Sequence, residues 1–371
     1  MSVTSMKWIY LGDVIEQRRE KYSCEESLPI RGVSRDGFIP PKQKDADLSK
    51  YNIFYKYDFV FNPARMELNS IALNIELTKG MCSSLYEVFS VNTSIVLPEY
   101  LNLFIKRGEF ARQCEYIGSG SAREYCRVGN ISEIKVPIPI KNNEPDLSKQ
   151  QELVDTYNGL KALAEQNEAL IKPLSEACQA YIFDCKKKYS EVKLGKHIEE
   201  YDVKNSDNKI KAVKSVSVTK EFKDTNAKVD KNNLQGYKLV PPNHLSYVQT
   251  TKNEKCFANA LNTSDETYVV TQVNKVIFSK DNNVLNIEFL HLIFKGVEFD
   301  RYALFNSWGS ARETFDWKEL CRVLIPLPPP EVQQAIVNLY NCAEEAKKIA
   351  AESRKKMKTL CPALVQKAIN G

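Results

Sequence analysis

The sequence predicts an α+β protein made of two pseudo-repeated globular domains joined by a long antiparallel two-helix coiled coil. Three observations lead there: an internal repeat that spans the chain, short β-type runs inside each copy, and a heptad-stepped stretch closing each copy. Together they divide the 371 residues into a first globular domain (1–145), a central spacer helix (146–190), a second globular domain (191–329) and a C-terminal spacer helix (330–371).

The repeat is long and imperfect. Leu11-Gly12-Asp13-Val14-Ile15-Glu16 returns as Leu194-Gly195-Lys196-His197-Ile198-Glu199, and Val33-Ser34 returns as Val216-Ser217, both 183 residues on. Gly120-Ser121-Ala122-Arg123-Glu124 recurs unchanged as Gly309-Ser310-Ala311-Arg312-Glu313, and Val136-Pro137-Ile138-Pro139 is matched by Ile325-Pro326-Leu327-Pro328, both at an offset of 189. Gln150-Gln151 and Tyr157-Asn158 come back as Gln333-Gln334 and Tyr340-Asn341 at 183 again. Five signals in one order are hard to obtain by chance.

Within each copy, Asn52–Tyr55, Ile131–Ile140, Tyr268–Val270 and Lys275–Phe278 read as strands, separated by Gly, Pro, Asn and Asp clusters. Pro98–Tyr116 and its counterpart Asn286–Asn306 read as helical. After Pro145-Asp146, positions Leu153, Tyr157, Leu160, Ala164, Asn167, Ile171, Leu174, Cys178 and Tyr181 alternate steps of four and three. After Pro328-Pro329-Pro330 the same stepping gives Val332, Ile336, Leu339, Ala343, Ala346, Ala350, Ser353, Met357, Leu360 and Leu364. Such seams fit helix–helix pairing, and the small residues Ala343, Ala346 and Ala350 favour close approach; the competing expectation is that the seams dock onto the globular domains. Pro173 and Pro362 should bend or weaken each helix near its far end.

Composition narrows the class. Hydrophobic residues at 43% and charged residues at 27% are globular proportions that exclude collagen-like and disordered chains. No apolar run reaches the ~20 residues of a membrane span, and Met1–Tyr10 lacks a signal-peptide core, so the expected compartment is the cytoplasm. The ten cysteines are scattered without a CxxC and are expected as free thiols. His197, His244 and His291 are too dispersed to suggest zinc. The net charge of +5 is uneven: 22 basic against 25 acidic side chains before residue 186, and 30 against 22 after it. That excess points weakly to a polyanion partner of the second half.

Catalytic constellations are not found. There is no GxxxxGK[ST] and no strand-following GxGxxG. Asn62-Pro63-Ala64-Arg65 shares only its first two residues with the Asn-Pro-Pro-aromatic motif of adenine methyltransferases. A nuclease-like reading of Pro145-Asp146 with Asp184-Cys185-Lys186 fails on distance, because a helix separates the halves by roughly 55 Å. The expectation is a chain with no catalytic residues and no cofactor or metal of its own.

Two similar but diverged heads on a spacer suit the reading of two different DNA half-sites. Candidate DNA-binding residues fall in matched places: Arg31, Ser34 and Arg35 opposite Lys214, Ser217 and Lys220; Asn62 and Arg65 opposite Gln249, Thr251 and Lys252. Ser121 and Arg123 match Ser310 and Arg312, where sameness in both heads favours backbone contact or a structural corner over base reading. Candidate partner-binding and coiled-coil positions are Leu153, Tyr157, Leu160, Leu174, Ile336, Leu339, Ala343 and Met357.

These residues resemble the specificity subunits of type I restriction–modification systems. The resemblance covers essentially the whole chain. It rests on the twice-occurring Gly-Ser-Ala-Arg-Glu, on Ile-Pro-Leu-Pro-Pro-Pro-Glu-Val-Gln-Gln-Ala-Ile-Val at 325–337, and on the weaker copy of that phrase from Val136 to Val154. It implies two target-recognition domains, each reading one half of a bipartite, asymmetric double-stranded target. It also implies helices that set the spacing and hold two methyltransferase subunits, which bind S-adenosylmethionine, and motor-nuclease subunits using ATP and Mg. The first copy departs from the pattern: Asn142-Asn143-Glu144-Pro145-Asp146 replaces the proline triplet, so its helix entry should differ. A coiled-coil scaffold without DNA specificity and an enzyme with an unrecognised site are the competing readings.

Overall fold

A computed structural model describes residues 5–23, 26–41, 47–118, 125–225, 228–250, 256–308 and 313–369, with side chains of the last stretch described to 360. It mixes sheet and helix. Eight helices are used below: α1 (Pro98–Ile105), α2 (Gly108–Gly118), α3 (Val128–Ile131), α4 (Leu147–Lys188), α5 (Ile287–Lys295), α6 (Val297–Phe305), α7 (Trp317–Arg322) and α8 (Pro330–Ile369). Two compact units emerge, residues 1–166 with 349–371, and residues 167–348. Both boundaries fall inside the long helices, so each unit takes a globular part and one half of each helix.

In the first unit, Ser5–Tyr10 pairs antiparallel with Lys135–Lys141, with Trp8 opposite Pro137. Glu144–Pro145 pairs only with Ile140 and Lys141, so Pro137 and Pro139 lie where the strand has a single neighbour and lack no ladder bond on the open side. Asn142 and Asn143 turn that hairpin in the left-handed region (φ 53° and 68°), as a two-residue type I′ turn demands. The helix entry does differ between copies: Asp146 caps α4 by accepting from the Lys149 N–H at 2.9 Å, whereas α8 opens directly on Pro330.

A four-stranded antiparallel sheet runs Ile15–Arg18, Glu87–Val91, Phe59–Phe61, Ile71–Leu73. Its inner face carries Phe59, Phe61 and Phe89, all fully buried, with Phe59 stacked on Phe89 at 4.9 Å. A second sheet orders Gly37–Ile39, Ile30–Ser34, Lys79–Cys82 and Asn52–Tyr55.

The second unit has a four-stranded antiparallel sheet in the same chain order: Ile198–Glu200, Asn274–Ser279, Leu245–Val248, Asn259–Leu261. Its core gathers Tyr247, Phe257, Phe289, Phe294 and Phe315. Two further antiparallel pairs, Lys214–Val216 with Phe222–Asp224 and Lys238–Val240 with Tyr268–Val270, are linked by a bridge from Val213 to Val269.

The expected helices split. Pro98–Tyr116 becomes α1 and α2, and Asn286–Asn306 becomes α5 and α6 with Gly296 between them. Ile131 ends α3 rather than opening a strand, which begins at Lys135. Pro173 lies inside α4, which runs through it unbroken to a total of 42 residues, about 63 Å.

The repeated phrases have local causes. Leu11 and Leu194 are fully buried, and their N–H groups donate to Ile134 O at 2.8 Å and Val323 O at 2.9 Å. A Cβ on Gly12 would meet the Ser132 Cβ at 2.9 Å, and one on Gly195 the Cys321 Cβ at 2.7 Å. Gln150 and Gln333 are also fully buried. Gln150 accepts from the Leu97 N–H at 2.8 Å and donates to Ile95 O at 2.9 Å; Gln333 accepts from the Asn286 N–H at 2.8 Å and donates to Val284 O at 2.9 Å. Each glutamine locks the first turn of a long helix to the loop ahead of α1 or α5.

Along α8 the inward positions are Val332, Ile336, Leu339, Ala343, Ala346, Ala350, Ser353, Met357 and Leu360, all buried or half-buried. Along α4 the stripe runs Leu153, Tyr157, Leu160, Ala164, Asn167, Ile171, Leu174 and Cys178, then Ile182 and Cys185. Tyr181 is 57% exposed and leaves the seam; Ile182, packed against the second unit's core, takes its place. In that unit the Cys178 thiol donates to Ile336 O at 3.9 Å, bringing α4 and α8 together.

Candidate nucleic-acid interface

The first unit gathers two of the predicted segments through Ser70. Its hydroxyl donates to Val33 O at 3.2 Å, its N–H to Arg65 O at 3.2 Å, and its carbonyl accepts from the Asn62 N–H at 3.0 Å. The Arg31–Arg35 hairpin and the Asn62–Arg65 turn thereby share one surface. Arg35 and Arg65 are exposed there, while Arg31 is half-buried with Nη1 on Ile30 O at 3.2 Å. Lys106 stands between them: its ammonium donates to Arg35 O at 2.9 Å and to Ile71 O, and burial pulls its pKa below the ordinary lysine value.

Polar groups in this set are partly committed to the fold. The Ser34 hydroxyl donates to Gly37 O at 3.2 Å and accepts from the Asp36 N–H at 3.3 Å, closing the hairpin turn. Asn62 caps the turn that follows by accepting from the Ala64 N–H at 3.1 Å. Arg35 and Arg65 are the guanidinium groups left facing outward.

Ser121 and Arg123 lie outside the described residues, but the anchors on either side do not. Gly118 ends α2, and the Cys126 N–H donates to Pro63 O at 2.9 Å. Cys126, two residues past the repeated Gly-Ser-Ala-Arg-Glu phrase, is thus tied to the Asn62–Arg65 turn.

The second unit repeats that juncture. The Phe315 N–H donates to Gln249 O at 2.8 Å, and Thr250 bridges to Thr314, which bridges to Trp308. Thr251, Lys252, Ser310 and Arg312 all lie outside the described residues; Thr250 and Trp308, the described residues before those two stretches, both bridge to Thr314. Trp308, 71% exposed at this juncture, was missed by sequence reasoning, although its place directly before the second Gly-Ser-Ala-Arg was a signal.

Three second-unit candidates need revision. Lys220 is 6% exposed, and its ammonium is held by both Asp300 oxygens at 2.8 Å and by Phe294 O at 2.8 Å. Asp300 also accepts from the Phe257 N–H at 2.8 Å. Lys220 thus ties its turn to α5 and α6 and has no charge to offer DNA. Lys214 donates to Asp224 at 2.7 Å, and that carboxylate raises its pKa. Ser217 closes its own turn, its hydroxyl donating to Glu221 O at 3.0 Å and lying 2.7 Å from the Thr219 hydroxyl.

The partner-binding positions divide as well. Leu153 belongs to the first unit's globular core and Ile336 to the second's, with Leu339 packed on it. The first turns of each helix therefore dock onto a head, as the competing expectation held, and their side chains are closed to a partner. Tyr157, Leu160 and Leu174 are half-buried, and Ala343 and Met357 are buried farther along the helices. Among the described residues no cluster of His, Cys, Asp and Glu is arranged to hold a metal ion, and no helix is long and apolar enough to cross a membrane.

No family model matches the sequence, and no curated protein does. Solved structures do resemble the fold. The crystal structure of a type I restriction–modification system S subunit from M. genitalium superposes with a TM-score of 0.53 at 11% identity, covering 98% of this chain and 95% of that one. The HsdS subunit from Thermoanaerobacter tengcongensis gives 0.42 at 17% identity over 99% and 97%. A type I R-M assembly structure gives 0.36 at 17% identity over 99% and 98%.

Proposed function

We propose that this chain is the DNA-specificity subunit of a type I restriction–modification complex. The observation that carries the reading is the fold it shares, end to end, with the M. genitalium S subunit. The two matched junctures support it: in each unit a residue just past the repeated Gly-Ser-Ala-Arg phrase, Cys126 or Phe315, donates its N–H to the carbonyl of a second loop that differs between units. Each globular domain reads one half of a bipartite, asymmetric duplex target. Phosphate contacts fix register, and the diverged loops read base edges. A duplicated chain suits this task, because a homodimer of one head reads only a palindrome.

In this reading α4 and α8 pair antiparallel as a coiled coil, set the half-site spacing, and dock two methyltransferase subunits. Those subunits bring S-adenosylmethionine and methylate adenine; motor-nuclease subunits using ATP and Mg complete the restricting form. The present chain binds and positions, and carries no catalytic residue or cofactor.

The test is an adenine-methylation map. The chain is co-expressed with its genomically adjacent methyltransferase in a methylation-free host, and single native DNA molecules are sequenced. A bipartite motif with an undefined central gap, lost when the chain is omitted, is the expected result. Absence of any motif from a co-purifying complex would replace the specificity reading with the scaffold reading.

A further inference from the structure

Each unit ends one hairpin in an exposed tip, and the 183-residue offset aligns the two: Ser34-Arg35-Asp36 falls on Ser217-Val218-Thr219. In both, the serine hydroxyl donates across the turn, to Gly37 O at 3.2 Å and to Glu221 O at 3.0 Å. In both, the two residues that follow the serine are exposed. The turn is closed alike while its outward chemistry differs, an arginine on one tip and a valine on the other. A reading position needs that combination, because arginine suits guanine or phosphate and an aliphatic side chain suits the thymine methyl.

The 189-residue offset aligns the ends of α1 and α5, where Lys106 falls on Lys295. In each unit a lysine ties the tip of the hairpin to its surroundings, but from opposite sides. In the first unit it comes from the helix: Lys106, just past α1, donates to the carbonyl of Arg35 itself at 2.9 Å and to Ile71 O. In the second it comes from the tip: Lys220 donates to Phe294 O at 2.8 Å and to Lys295 O at 3.2 Å, besides its pair with Asp300. Carbonyls at the end of α5 have no partner within the helix and favour a cation. Lys220 reaches them from a left-handed backbone (φ 61°) in the loop between Ser217 and Glu221, a place where glycine is the usual choice. Its strained position is explained by what its ammonium holds. A tie rebuilt with a donor from the other side points to the connection between tip and helix end as the retained feature.

We propose that Lys106 and Lys220 are positioning residues, which fix the tips Arg35-Asp36 and Val218-Thr219 against the ends of α1 and α5 and thereby set base discrimination in each half-site. The proposal rests on the DNA-specificity function proposed above. Neither ammonium touches DNA; each acts through the tip it holds, which is ordered before the duplex arrives.

The test uses the full chain co-expressed with the methyltransferase, read by the methylation map and by titration of the purified complex with its motif duplex, below the melting temperature of every variant. Lys106→Met weakens duplex affinity about tenfold and blurs the motif where Arg35→Ala blurs it, with the other half-site intact. Lys106→Arg, which still donates to carbonyls, restores both readouts. Lys106→Met added to Arg35→Ala costs little more, because the lysine acts through that tip. In the second unit, Lys220→Met with Asp300→Asn removes the tie without leaving a bare carboxylate, and blurs the other half-site alone. A lowered melting temperature with a motif as sharp as wild type makes the lysines structural only and overturns the proposal. Fully additive losses in the Arg35 double variant, or an unchanged motif in Arg35→Ala, overturn it too. A wild-type complex that methylates at no motif defeats the underlying function instead, so the two failures are distinct.

Discussion

Cys126 donates its backbone N–H to the carbonyl of Pro63 at 2.9 Å, and 189 residues later Phe315 does the same to Gln249 at 2.8 Å. Main-chain bonds tolerate any side chain, so both heads keep the juncture while the loops around it diverge. In the first unit it ties Cys126, just past the repeated phrase, to the turn that carries Arg65. Arg65 and Arg35 are thus the first-unit positions from which base or phosphate contact is expected.

Arg35→Ala is expected to leave the folded protein intact, because the side chain is exposed and the hairpin turn is held by Ser34. In the methylation map it should weaken recognition of one half-site while the other half-site keeps its sequence. Equal loss at both half-sites would refute the assignment of one half-site to each unit.

Lys220→Met is expected to act on stability. It leaves the Asp300 carboxylate, 16% exposed, without its cation, which costs about 3–5 kcal/mol for a buried pair. Urea denaturation followed by tryptophan fluorescence reads the loss. The double variant Lys220→Met with Asp300→Asn, whose side-chain oxygen can still accept from the Phe257 N–H, should recover much of it, and a single variant as stable as wild type would show that the pair contributes nothing.

Lys220 also marks where sequence reasoning stops. Its partner lies 80 residues away, and no local pattern distinguishes a lysine bound for a buried carboxylate from one bound for solvent. Leu11-Gly12 and Leu194-Gly195 were legible as a repeat because their cause is local and severe: no Cβ fits against Ser132 or Cys321. The α8 stripe was legible to Leu360 because burial follows helical period alone. On α4 the period held to Cys178 and then shifted by one at Ile182, where the second unit's core replaces a facing helix. The loop residues of the candidate interface follow no period, so sequence gave their neighbourhood and not their pairing.

Gln333→Leu is expected to lower stability by about 1–3 kcal/mol, since it strands the Asn286 N–H and the Val284 and Pro328 carbonyls in the interior. Gln334→Leu, on the exposed neighbour, is the control and should lie within ~0.5 kcal/mol of wild type. Equal effects would mean that Gln333 adds nothing beyond helix propensity.

His291 gives the second unit a pH dependence. Burial is the main cause that pushes its pKa down to about 3, with the nearby Lys295 ammonium adding to it. The unfolded chain therefore binds a proton that the folded one refuses between about pH 6.5 and 3. Stability rises with pH across that window and is lost as the solution is acidified, at up to ~1.4 kcal/mol per pH unit. His291→Leu should flatten the slope between pH 6.5 and 5, above most carboxylate titrations. An unchanged slope would place the acid sensitivity elsewhere.

The long helices offer a paired comparison on one element. Leu160 is half-buried on the inward stripe of α4, and Leu170 is 50% exposed beside it. Leu160→Asp puts a carboxylate into the stripe, where its desolvation has no compensating partner on the sequence pattern, so melting temperature and assembly with the methyltransferase should both fall. Leu170→Asp should change neither. On the proposed division of labour, in which the helices position the heads and do not read bases, whatever methylation survives in Leu160→Asp should carry the wild-type motif. A motif altered in sequence would instead mean that α4 contributes to base recognition, and the separation of spacing from reading would have to be abandoned.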